Sequence, residues 1–123
     1  MILIEVDVMN ENEIINWESG RASCVNDEEF YQEILTVFLE ENWNQKLNDL
    51  FTAQDWENYR ISVHALKSNA LNIGSAPLSE KAKANEMAVK EKRYDYVREH
   101  HAELMDLLHQ VESMVKEYLG MTD

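Results

Sequence analysis

From residue 27 onward the apolar positions of this chain recur every three or four residues, the interval at which side chains return to one side of an α-helix. Asn-Asp-Glu-Glu at 26–29 predicts a helix start, with Asn26 or Asp27 as cap and acids in the first turn. Tyr31, Ile34, Leu35, Phe38 and Leu39 follow on one face, and Trp43, Leu47, Leu50 and Phe51 prolong the stripe. Residues 27–53 therefore form one long helix or two in series. Asp55 caps the next helix, whose seam is Trp56, Tyr59, Val63, Leu66, Ala70 and Ile73. Gly74 ends it, because glycine enters the left-handed conformation cheaply. Pro77 suits the first turn of a helix over 77–92 with Leu78, Ala82, Ala88 and Val89 inward. The last helix, 94–119, carries Val97, Leu104, Leu108, Val111 and Val115 and stops at Gly120. Four amphipathic helices with short joins predict an all-α fold, an antiparallel up-down four-helix bundle.

The N-terminal part is patterned differently. Residues 10–25 hold at most a short helix, broken near Gly20. Residues 1–9 alternate Ile2, Ile4, Val6 and Val8 against Glu5 and Asp7, a strand-like pattern that suits an extension or linker remnant. The expected organisation is one helical domain over 10–120 preceded by that extension. A chain of 123 residues, 45% hydrophobic, can bury a single core. Only three glycines and one proline argue further against a turn-rich β architecture.

Charge narrows the partners. Eleven Lys and Arg against 24 Asp and Glu give −13, which repels phosphate backbones and anionic lipid and so disfavours nucleic acid and membrane surfaces. No apolar run approaches the roughly 20 residues that span a bilayer. MILIEVDVM is too short and too acidic for a secretory signal. Cys24 has no second cysteine to pair with, which places the chain in a reducing cytoplasm.

Candidate chemistry centres on VHALKSNALNIG at 63–74. At 100° per residue, His64 lies roughly 130° from the centre of its helix's apolar face, so it points outward or sideways. Arg60, Lys67, Ser68 and Leu71 fall within roughly 60° of it on the same stripe. An acidic protein has placed two of its few cations beside this histidine. Those cations disfavour a charged ring and leave a neutral, nucleophilic nitrogen, with positive charge where a phosphoryl group would sit. Phosphoryl transfer asks mainly for positioning and charge neutralisation. Ser68, one turn on, is small enough to let a partner's active site close over the ring. The expectation is an imidazole standing in water, with the Lys67 ammonium beside it ready for incoming anionic charge.

HALKSNALNIG followed by APLSEKAKANEMA resembles the histidine-containing phosphotransfer (HPt) domain of multistep two-component signalling, with His64, Lys67, Ser68 and Gly74 in the motif positions and Leu78, Ser79 and Ala82 in the next helix. NWESGRASCVNDEEFYQEIL at 16–35 is also similar to how such domains begin, so the resemblance covers roughly 16–118 and leaves out 1–9. It departs from the family where Ser68 replaces the usual glycine and Asn85 replaces a packed apolar residue. The resemblance implies a four-helix bundle preceded by a short N-terminal helix. It implies that His64 accepts a phosphoryl group from a receiver-domain aspartate and passes it to another receiver. Lys67 then supplies charge stabilisation, Ser68 clearance and a hydrogen-bonding hydroxyl, and Arg60 and Leu71 docking contacts. The expected partner is a response-regulator receiver, with a hybrid sensor histidine kinase as a second candidate. The receiver catalyses the chemistry and brings Mg²⁺; the chain is a phosphotransfer protein, not an enzyme, and has no cofactor of its own. No Gly-rich phosphate loop is present in the sequence.

The competing reading is a helical adaptor that binds a receiver or kinase without carrying phosphate. A metal site is disfavoured: a di-iron bundle needs paired Glu-x-x-His, and the nearest match is the single Asp106-Leu-Leu-His109. His101 falls on the seam of the last helix and suits a partly buried, hydrogen-bonded role, whereas His100 points elsewhere, toward solvent. Cys24 has no histidine close in sequence and suits a small apolar role.

Overall fold

The computed structural model describes residues 11–121, and within them every regular element is α-helical. The strand-like pattern at 1–9 lies outside the described residues. The helices are α1 (Glu11–Ile14), α2 (Trp17–Ser23), α3 (Glu28–Glu40), α4 (Trp43–Thr52), α5 (Trp56–Ile73), α6 (Ala76–Lys90) and α7 (Tyr94–Tyr118). They pack as a helical bundle around one core, to which Tyr31, Leu35, Leu47, Tyr59, Val63, Leu66, Leu78, Leu104 and Leu108 contribute fully buried side chains. The seam residues expected on α5, α6 and α7 are all buried except Trp56, which is partly so.

The 27–53 stretch is two helices in series. Asp27 caps α3 by accepting from Phe30 N–H at 3.1 Å. Asn42, left-handed at φ 55°, breaks the ladder before Trp43, a conformation asparagine tolerates better than most residues. α4 runs antiparallel to α7, with Asn44 reaching Glu112 and Asn48 reaching His101, and the start of α3 meets the end of α7 where Tyr31 packs edge-on against Tyr118.

One expectation is corrected at Gly20. The helix α2 runs through it from Trp17 to Ser23, because a side chain there would collide with the Ile73 carbonyl and the Tyr31 ring. Glycine is a packing requirement here, not a break. The close approach has a purpose. The last carbonyls of α5 lack intrahelical partners, and the N-terminal elements supply them. Ser23 Oγ donates to Asn72 O at 2.9 Å, Tyr31 Oη to Ile73 O at 2.6 Å, and Asn16 N–H to Gly74 O at 2.9 Å. Ser75 Oγ donates to Ile14 O at 2.8 Å. The α5–α6 turn is thus held by α1, α2 and α3.

α5 and α6 form the most extensively packed pair and run antiparallel, with Ser79 Oγ donating to the Lys67 carbonyl at 2.9 Å. Gly74 sets their register as the left-handed cap of α5, at φ 102°. A Cβ there would meet the Asn16 carbonyl. Gly74→Ala combines left-handed strain with that collision, and is expected to cost about 3 kcal/mol in chemical denaturation. A loss below about 1 kcal/mol would contradict this account of the turn.

Candidate functional site

α5 presents His64 on its solvent side with 57% of the side chain exposed. Its Nδ1 lies 2.7 Å from Oε2 of Glu86 on α6. Lys67, one turn further along α5, donates to Oε1 of the same carboxylate at 2.8 Å. Lys90, one turn beyond Glu86 on α6, places Nζ 3.4 Å from Oε2. Three donors therefore converge on a carboxylate that is itself only 1% exposed. Burial pushes the Glu86 carboxyl up, but the hydrogen bonds from Lys67 and His64, and their charges, outweigh it and hold the group down at about 2.

An ionised carboxylate can only accept, so Nδ1 of His64 must carry the proton. In the neutral ring the lone pair then sits on Nε2, to which no described protein group hydrogen-bonds. The arrangement fixes one tautomer and leaves the other nitrogen open to solvent.

The five residues singled out from the sequence fare differently. Ser68 is exposed one turn beyond His64, and Leu71 is 59% exposed. Lys67 does not stand free beside the ring as expected: its side chain is only 27% exposed and its ammonium is paired with Glu86. It shares that carboxylate with His64, so the two remain parts of one cluster. Arg60 is turned to Glu57, 2.6 Å away, and not to His64. Glu86 and Lys90 were not foreseen. A signal existed, because Glu86 keeps step with Leu78 and Ala82 at four-residue intervals, and a carboxylate on the buried face of a helix needs donors from its neighbour. Ile61 on α5 and Met87 on α6 are exposed apolar side chains, at 51% and 39%, as is Leu71.

Next to Glu86 begins a polar chain that is buried from Asn85 to His101 and ends at exposed Asn48. Asn85 Nδ2 donates to Tyr59 Oη at 3.0 Å, Tyr59 Oη lies 2.9 Å from His101 Nδ1, and His101 Nε2 lies 2.8 Å from Asn48 Oδ1. Because the amide oxygen only accepts, His101 carries its proton on Nε2, and Tyr59 donates to Nδ1. Phe51 stacks on the ring at 3.9 Å. The amide of buried Asn85 is thereby given a hydrogen-bond acceptor. Burial pushes His101 down to about 4, so it is neutral at pH 7. His101 is buried and hydrogen-bonded, as its seam position implies. His100 is only half-exposed: Nδ1 donates to Tyr96 O at 2.8 Å, and the ring stacks on Tyr96. Among the described residues no three His, Cys, Asp or Glu side chains converge as metal ligands, and no helix is long and apolar enough to cross a membrane. Cys24 is a buried thiol at the end of α2.

Both buried groups contribute to the acid response of the fold. His101 falls from 6.5 to about 4 on folding, so its contribution is complete above pH 6.5 and lost as pH drops through 4. Glu86 falls from 4.5 to about 2, so its contribution is complete above pH 4.5 and lost as pH drops through 2. Each amounts to about 3 kcal/mol when fully developed. Thermal melts between pH 8 and 3 should show Tm declining already below pH 6.5, and His101→Gln should remove that upper leg. A flat Tm down to pH 4.5 in the native chain would contradict the neutral, buried imidazole.

Comparison of the chain with protein-family models, curated proteins and solved structures returns no match.

Proposed function

We propose that this chain is a histidine-containing phosphotransfer domain of a cytoplasmic two-component phosphorelay, with His64 as the phosphoacceptor. In this reading α3 with α4, then α5, α6 and α7, are the four helices of an antiparallel up-down bundle, and α2 is the short N-terminal helix. The observation that carries it is the exposed His64 ring, held at Nδ1 by a buried ionised carboxylate with Nε2 open to water.

The chemistry follows from that tautomer. The Nε2 lone pair attacks the phosphorus of a receiver's aspartyl phosphate. The N–P bond forms as the P–O bond breaks, and its electron pair leaves with the aspartate carboxylate. No proton has to move, because Nε2 carries none. The ring becomes positive as the bond forms, and Glu86, already bonded to Nδ1–H, stabilises that charge. Transfer onward reverses the steps. Mg²⁺ enters with the receiver, and the chain supplies no cofactor. Ile61, Leu71 and Met87 offer exposed apolar contacts, and Ser68 leaves room for the partner to close over the ring.

The test is incubation with a phosphorylated receiver domain. The expected product is label on this chain that is acid-labile and base-stable. An adaptor would bind the receiver through the same apolar surface and take up no label. Clearance has its own test: Ser68→Gln should reduce the transfer rate at least tenfold, with Ser68→Gly equal to the native chain or faster. Equal rates for the native chain and the Gln variant would remove the steric argument.

A further inference from the structure

The two ammoniums on Glu86 are not equivalent. Lys67 meets Oε1 at 2.8 Å with its side chain 27% exposed, whereas Lys90 meets Oε2 at 3.4 Å with 47% exposed. Oε2 already accepts from His64 Nδ1 at 2.7 Å, so the Lys90 contact is both the longer and the one that must share its acceptor. Because both groups touch one oxygen, the Lys90 ammonium stands within about 6 Å of His64 Nδ1. Arg60, the remaining cation of the sequence stripe, is engaged by Glu57.

Building on the phosphorelay reading, we propose that Lys67 and Lys90 divide the work. Lys67 is a positioning residue that keeps Glu86 ionised and aimed at His64. Lys90 is the cation that leaves Glu86 and pairs with the phosphoryl group on Nε2.

The two ammoniums give up different contacts on leaving Glu86. A phosphoryl group brings close to two negative charges. Were Lys67 to leave, Glu86 would lose its shortest and most sheltered ammonium contact while the ring depends on that carboxylate. Lys90 gives up only a stretched contact, on a half-exposed side chain at the end of α6. Its departure also frees Oε2 for Nδ1–H as the ring becomes positive. Both effects favour the phosphorylated state.

The experiment labels the native chain with potassium phosphoramidate, independently of any receiver. Nε2 attacks phosphorus and ammonia departs as the P–N bond of the reagent breaks. The His64 signal in ³¹P NMR, assigned by its absence in His64→Gln, is then titrated at low salt. Lys90→Ala should raise the second pKa of the phosphoryl group by roughly half a unit to one unit, and Lys90→Arg should restore it. Lys67→Ala should move that pKa less while slowing labelling severalfold. A Lys90→Ala titration identical to the native one, or a larger shift in Lys67→Ala, overturns the division of labour. Failure of His64 to accept phosphoryl from either phosphoramidate or a receiver overturns the phosphorelay reading itself.

Discussion

His64→Gln is expected to abolish phosphoryl uptake from a phosphorylated receiver while leaving the thermal transition within a few degrees of the native one. The structural half follows from exposure. With 57% of the His64 side chain in solvent and one hydrogen bond to the protein, the glutamine variant loses little packing, and its amide can still donate to Glu86. Surface changes of this kind stay near about 0.5 kcal/mol. The chemical half is absolute, because an amide has no lone pair of comparable nucleophilicity, and His100, His101 and His109 lie on α7 and not in the Glu86 cluster. Label persisting in the variant would move the acceptor elsewhere. Loss of the cooperative transition would make the variant uninformative for chemistry and would contradict the exposed position of the ring.

Glu86→Gln is the second large effect, and its outcome separates positioning from packing. The variant keeps the shape of the side chain but has one acceptor oxygen where the native carboxylate serves three donors. Either Nδ1–H or the Lys67 ammonium loses its partner, and the amide NH₂ must face one of them. The ring is then free to flip or to carry its proton on Nε2, and the positive charge formed during transfer has no counter-ion. Removal of a group that orients a reacting imidazole costs roughly tenfold to a hundredfold, so a rate loss in that range is expected. Stability at neutral pH should fall by about 2 kcal/mol, and the decline of Tm between pH 4.5 and 2 should flatten, since the group responsible is gone. A variant that transfers at the native rate would reduce Glu86 to a buried structural ion.

The sequence carried the helical fold well because its signals are local. Asp27 and Asp55 as caps, Gly74 as a left-handed stop and the three-four spacing of α5 and α7 all act within one or two turns. Gly20 misled because its reason is tertiary: the Ile73 carbonyl that excludes a side chain is distant in sequence. The site divided in the same way. His64, Ser68 and Leu71 were legible because helical angle alone puts them outside. Lys67 was read as a free charge because an angle says nothing of what the facing helix offers. Glu86 and Lys90 sit on that facing helix, 22 residues and more from the ring, and only the α5–α6 register brings them to it.

The central claim is that the neutral His64 ring carries its proton on Nδ1 and its lone pair on Nε2, and reacts there. Long-range ¹H–¹⁵N correlation of the His64 ring, recorded before and after phosphorylation, tests this directly. The account predicts a protonated Nδ1 and a bare Nε2 at rest, then phosphorus coupled to Nε2 with the Nδ1 proton retained. A resting ring with its proton on Nε2, or phosphorus coupled to Nδ1, would contradict it.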